Sequence, residues 1–222
     1  MRATLDRQAV VAAAIRLLNQ VGLDGLTLRR LSRELGVQAG ALYWHVANKQ
    51  ELLDLMADKI VTEAAEGLDE PLPGQQWEQW LTARVGRLRE ALLANRDGAR
   101  LLALTRPTGD RRPSAETLVG ALVAAGLKPP DALRALRAIN HYVVGAVQVE
   151  QAEASDEKPV APLDRYDTFP MLKAALAKQD DDHRRGQFEY GLQCLLAGLR
   201  DSAGLRDSAG LHDSASVHDS AS

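Results

Sequence analysis

Arg29, Arg30 and Arg33 lie close together in the chain, and Tyr43, Trp44 and His45 follow as three flat side chains with polar tips, with Lys49 just beyond. Guanidinium groups fork onto phosphate oxygens and onto the O6/N7 edge of guanine, while phenol, indole and imidazole groups donate to phosphate. These residue types suit the backbone and groove of a nucleic acid. Between the two groups, Ala39, Gly40 and Ala41 offer little hydrogen bonding, and Gln38 precedes them with a side-chain amide. Charge follows the same division. Residues 1–50 hold seven Lys/Arg against three Asp/Glu, a balance of +4 in a chain of net −3, so the remainder carries −7. Basic charge gathered at one end is the footprint of a phosphate-binding face. A plain helical hairpin with a solvated arginine face has the same spacing, so these residues alone leave both readings open.

The chemistry of bond breaking is not visible. Asp180, Asp181, Asp182 and His183 form the only dense acidic–histidine group, and at a helix start carboxylates are explained by the macrodipole. No catalytic residue and no enzyme is expected. Cys194 is the only cysteine, which excludes an internal disulfide and a cysteine-built zinc site. Its place in LQCLLAGL predicts a buried small hydrophobe. His212 and His218 fall in a repetitive tail and read as solvated, so no metal and no cofactor is expected.

Two short helices must position the basic residues. Thr27 is a good N-cap, and Leu28, Leu31 and Leu35 then recur on one face until Gly36. Residues 38–45 are predicted to form a second helix of about two turns, with Ala41 and Leu42 inward and Gln38, Ala39, Gly40, Tyr43 and His45 outward. Helix, tight turn and helix make a helix-turn-helix. Thr4 or Asp6 is expected to cap a preceding helix that runs to Val21, ends at Gly22 and packs across the other two. Arg2 and Arg7 belong to the same basic end.

At 222 residues, 45% hydrophobic and 26% charged, the chain has room for a small domain plus a larger one with an aliphatic core. No apolar run approaches the roughly 18 residues of a membrane span, no secretory pattern opens the chain, and a cytoplasmic location is expected. Asn48 caps an amphipathic rod over residues 50–66 carrying Leu52, Leu53, Leu55, Met56 and Ile60, and GLDEPLPG at 67–74 is a joint. Helices are then expected over 75–95, 97–104, from a Ser114 cap to 125, from Pro130 to 154, from Phe169 or Pro170 to 178, and over 183–199. The long helix carries Leu133, Leu136, Ile139, Val143 and Val147, and Gly145 with Ala146 is expected to allow close helix approach. Residues 155–170 read as a polar loop. The expected organisation is all-α: a DNA-binding domain at 1–49, a connecting helix at 50–66, a ligand-binding and dimerisation domain at 67–200, and a low-complexity tail at 201–222. Both long C-terminal helices are richer in apolar positions than one buried face needs, which predicts a four-helix dimer interface.

LTLRRLSRELGVQAGALYWHVANKQELLDLMADKI resembles the DNA-binding domain of the tetracycline-repressor (TetR) family of bacterial regulators, most recognisably at LYWHVANKQELLD. RDGARLLALTRP at 96–107 and INHYVVGAV at 139–147 are similar to segments of the tetracycline-repressor branch, and the resemblance covers most of residues 5–199. It implies a homodimer that binds a palindromic operator in double-stranded DNA and is released when a small molecule respaces the two recognition helices. The DNA-facing set is then Thr27, Arg29, Arg30, Gln38, Ala39, Gly40, Tyr43, Trp44, His45 and Lys49. The resemblance places the effector near Thr105, Arg106 and Pro107, with Asn140 and His141 facing them and Trp80, Arg84 and Leu88 on the preceding helix. His141 reads equally well as a core histidine, and Trp80 as core packing. Tetracycline repressors hold a magnesium–drug chelate with a histidine shortly before the Thr-Arg-Pro segment and a glutamate on the long helix. Here Leu102 and Val149 stand at the matching places, with Glu150 adjacent. Neither side chain ligates a hard cation. The expected effector is a hydrophobic compound of antibiotic or metabolite size, and the expected operator differs from the tetracycline one. The alternative is an architectural or constitutive DNA-binding regulator without an effector, which would have a filled core.

Overall fold

The Asp6 carboxylate accepts the Ala9 amide at 2.7 Å and opens α1, Arg7–Gly25. The structure, a computed structural model, describes residues 6–106, 112–155, 163–177 and 183–202, so Thr4, Arg2 and the 203–222 repeats lie outside the described residues. Of the two expected caps, Asp6 is thus the one described. Regular α-helical geometry breaks at Gly22, where φ is 72° and ψ is 175°, a region that only glycine enters freely.

Thr27 caps α2, Leu28–Glu34, by accepting the Arg30 amide at 3.1 Å. Gly36 turns the chain at φ 65°, and the Val37 amide reaches back to the Ser32 carbonyl at 3.0 Å. The next helix, α3, is only Ala39–Leu42, shorter than the expected 38–45 span. Gln38 stands before it without a side-chain cap. Gly40 is a poor helix former, and past the buried Leu42 no apolar face holds Tyr43, Trp44 and His45 in helix. They form a turn instead, in which the His45 and Val46 amides both donate to the Leu42 carbonyl.

Asn48 caps α4, Lys49–Ala65, by accepting the Glu51 amide at 2.9 Å, and Glu51 in return takes the Ala47 amide at 2.6 Å. This reciprocal pairing is a variant of the capping box and fixes the angle at which α4 leaves the N-terminal domain. Then come α5, Trp77–Leu93; α6, Gly98–Ala103; α7, Arg112–Ala124; and α8, Pro129–Ser155. A 3₁₀ turn at Leu163–Tyr166, inside the expected loop, leads to α9, Pro170–Leu176, and α10, His183–Ser202. Ser114 lies within the first turn of α7, whereas the sequence made it the cap, and Asp201 and Ser202 extend α10 instead of starting the tail. Among the described residues there is no strand, and no helix is long and apolar enough to cross a membrane.

One apolar cluster runs from Val10 of α1 through Leu52 and Met56 of α4 and Leu81 of α5 to Val143 of α8 and Leu192 of α10. The α8 stripe is Ala132, Ala135, Ile139, Val143 and Val147, while Leu133 is exposed. Small alanines at the buried positions let α8 sit close to its neighbours. Within the chain nothing approaches Gly145; the close approach is at Gly191, where an added Cβ would overlap the Tyr142 ring. Cys194 also departs from expectation: α10 buries Phe188, Leu192 and Leu196 at four-residue steps, and Cys194 lies off that line, exposed.

Candidate DNA-contacting face and effector cavity

Leu31, Leu42 and Val46 are fully buried under the motif, so the polar residues around them are turned outward. Thr27, Arg29, Arg30, Gln38, Ala39, Gly40 and Lys49 are exposed, Tyr43 and Trp44 keep 59% and 90% of their surface, and His45 is half-buried. Three members of this end are committed to structure. Arg30 donates to the Gly25 carbonyl at 3.1 Å, and Thr27 spends its hydroxyl on the helix cap. Arg7 pairs with Glu51 and donates to the His45 carbonyl at 3.0 Å, so it fastens the turn after α3 to the start of α4. No spacing rule links positions so far apart, and the sequence reading missed this role.

At the other end of α4, Val61, Ala64 and Ala65 join Leu81, Val85 and Leu88 of α5, Leu118 of α7, and Leu136, Ile139 and Val143 of α8 around a cavity of about 120 Å³. Arg84, Ser114 and Asn140 are its polar members. Arg84 is 7% exposed; it donates to the Leu68 carbonyl and, at 2.5 Å, to the Ser114 hydroxyl. Burial lowers the pKa of its guanidinium, and the charge of Asp69 acts in the opposite direction. Trp80, fully buried beside it, donates from Nε1 to the same Leu68 carbonyl at 3.0 Å, with Arg84 5.6 Å above its ring.

Of the residues expected around an effector, Arg84, Leu88 and Asn140 line this cavity together. Trp80 and Leu102 are buried core residues that do not line it. Thr105 bonds back to the Leu102 carbonyl at 3.0 Å, the Arg106 amide donates to Asp54 at 3.2 Å, and Pro107 lies outside the described residues. His141 is exposed and faces a separate groove between α8 and α10, next to Tyr142, Glu150 and Phe188. Asn140 and His141 cannot share a target because successive helical residues point about 100° apart. The sequence reading missed Ser114, Leu118, Val61 and Ala64; an apolar stripe on the connecting rod was visible, but not which part of it stayed open.

A polar seam joins the two regions. The Leu23 amide donates to Asp97 at 2.7 Å, the Arg96 amide to Asn19 at 2.8 Å, and Arg100 forks onto Asp24 with two bonds of 2.8 Å. The Arg100 guanidinium holds the Asp24 carboxyl below its usual pKa. Gln50, near the start of α4, donates to the Leu104 carbonyl at 3.0 Å. The end of α1 and the start of α4 are therefore both tied to the short α6 region.

Comparison with known proteins decides the family. Residues 10–56 match the domain described as bacterial regulatory proteins, tetR family, and residues 70–203 match the tetracyclin repressor-like C-terminal domain. The chain belongs to the TetR family. It is 40% identical over 196 residues to the tetracycline repressor protein class G of Vibrio anguillarum, covering 87% of this chain and 93% of that one. A single-substitution variant of TetR from Acinetobacter baumannii AYE, solved in complex with minocycline, superposes with a TM-score of 0.74 at 38% identity over 90% of this chain and 99% of the other. BioQ, solved with its natural double-stranded DNA operator, superposes with a TM-score of 0.65 at 33% identity over 88% and 98%.

TetR-family membership makes the chain a DNA-binding regulator of transcription, not an enzyme. At the two positions expected to match the magnesium ligands of tetracycline repressors, this chain has no oxygen or imidazole side chain. Leu102 is 7% exposed in an apolar setting, and Val149 is 57% exposed. Glu150, beside it, is held by Arg89 through bonds of 2.9 and 2.6 Å with both side chains only 12% exposed. Such a paired carboxylate is not free to ligate a cation.

Proposed function

We propose that this TetR-family chain acts as a homodimeric repressor that binds an inverted-repeat operator and lets go when a small, largely apolar effector enters the α4/α5/α7/α8 cavity. The observation that carries the reading is α4 itself: its first turn is braced against the DNA-contacting face, and its last turn lines the cavity. Residues 1–49 contact DNA, 50–66 transmit and lend Val61, Ala64 and Ala65 to the cavity, and 67–200 supply the rest of the effector site and the partner interface. A ligand need favour one spacing of the recognition helices by only a few kcal/mol to empty the operator. An effector-free architectural protein has no use for an open cavity in its body, which favours the ligand-responsive reading. The exposed Leu133, Val149, Tyr190 and Cys194 on α8 and α10 suit burial in a second copy. A regulator that reads DNA works where the chromosome is, so we place it in the cytoplasm.

Direct base reading falls to Arg29 and Gln38 with Tyr43, and phosphate anchoring to Lys49, Trp44 and His45. Arg29→Ala is expected to relax base preference with a loss of about 1–3 kcal/mol, whereas Lys49→Ala weakens all duplexes alike and reduces the salt slope by about one. Selection of bound duplexes from a random library checks both; an unchanged preference for the Arg29 variant would refute the assignment. Anhydrotetracycline with magnesium is expected to leave the melting temperature unchanged, because neither Leu102 nor Val149 offers a ligand atom. A clear magnesium-dependent rise would overturn that expectation.

A further inference from the structure

The cavity holds a positive charge, and among the described residues that line it none is acidic. Arg84 is 7% exposed, and its two hydrogen bonds go to uncharged oxygens, the Leu68 carbonyl and the Ser114 hydroxyl. The acid that acts on its charge, Asp69, is exposed and sits in the linker. Around the guanidinium the walls are aliphatic: Val61, Leu81, Leu118 and Ile139 each come from a different helix. A guanidinium does not shed its proton, and a buried charge is strongly disfavoured unless an opposite charge meets it. Its planar fork is the geometry that a carboxylate fills with two parallel bonds.

We propose that the effector is a compact apolar carboxylic acid, bound as its anion, with the carboxylate on Arg84 and the apolar body among the four helices. This rests on the effector-responsive reading above and specifies its ligand. The volume bounds the body. A cavity of about 120 Å³ is close to the roughly 150 Å³ void that holds a benzene molecule, so one ring or a short branched chain fills it. The same contact supplies the signal. Leu68 lies in the linker just past the end of α4, and Arg84 Nη1 holds its carbonyl. A carboxylate that takes the fork competes with that carbonyl and loosens the linker's hold on α5. A neutral occupant of the same shape fills the space but leaves the Leu68 bond in place.

The test uses the full chain, 4-methylbenzoate as probe and 4-methylbenzamide as its uncharged counterpart, with calorimetry for binding and release of a selected duplex for response. The wild-type protein is expected to bind the acid about 10- to 100-fold more tightly than the amide, the range of one charge-assisted contact, and only the acid should release DNA. Arg84→Met should bring the two affinities together, while Ser114→Ala, which removes a neutral partner and keeps the charge, should preserve the preference. If Arg84→Met fails to fold, Arg84→Lys carries the test, with a several-fold loss for the acid and none for the amide. Equal affinities in the wild type, an acid preference that survives Arg84→Met, or no binding of the acid would each overturn the proposal. Release by the amide as effective as by the acid would sink the anion reading and leave the effector-responsive one standing. Acid binding without release would support the site and sink the effector reading instead.

Discussion

Trp80→Ala is expected to destabilise the protein by about 3–5 kcal/mol, the range for deleting a large buried aromatic side chain. Trp80 is 1% exposed, and its loss opens a void beneath the first turn of α5. The indole also donates to the Leu68 carbonyl and lies under Arg84. Removing it therefore takes away one of that carbonyl's two donors and leaves the buried cation without its aromatic floor. Domains are stable by only about 5–15 kcal/mol, so the loss is a large share of the total. At roughly 2–4 °C per kcal/mol for a domain of this size, the melting temperature should fall by on the order of 10 °C. Thermal unfolding followed by circular dichroism checks this. A fall of under about 2 °C would mean that α5 does not organise the body.

Asp97→Ala should have its largest effect on communication between the two regions. Asp97 sits at φ 56°, in the left-handed region, and its carboxylate accepts the amide of Leu23, a residue 3% exposed beside the Gly22 break in α1. An alanine in that backbone conformation costs about 1–2 kcal/mol, and the orphaned buried amide costs about 1–3 kcal/mol more. Asp97→Asn keeps both the acceptor and the tolerance for positive φ and should restore most of the loss. DNA affinity should survive in Asp97→Ala because every residue of the DNA-contacting face is untouched. The response to effector should shrink from the 5- to 150-fold typical of coupled sites towards one. Titrating effector against a labelled operator complex gives this directly; an undiminished response in a folded Asp97→Ala protein would show that the seam does not carry the signal.

What could be read in the chain was whatever local chemistry determines. Thr27 and Asn48 cap helices because each needs only an amide three residues on, and Gly22 and Gly36 mark breaks because φ is positive there. Three things escaped for different physical reasons. The shortness of α3 follows from Tyr43 and Trp44 staying exposed, so that no packing holds them in helix, and exposure is decided by the tertiary fold. The bond from Arg84 to Ser114 joins residues 30 positions apart on different helices, and nothing in the spacing announces it. The resemblance placed His141 and apolar neighbours in sequence placed Cys194, but one helical residue's step in phase turns a side chain from core to surface. The elements were thus legible from capping and periodicity, whereas the cavity's members depended on the rotation of each helix about its axis.

The central claim is that two copies of this chain grip two half-sites through a basic face, and stoichiometry against salt tests it most directly. Sedimentation of the full chain with a selected inverted-repeat duplex should give two chains per duplex. Affinity should fall on the order of 10³-fold between about 50 and 200 mM salt if about six phosphates are contacted. A single chain binding an isolated half-site as tightly as the whole repeat, or an affinity indifferent to salt, would contradict the account.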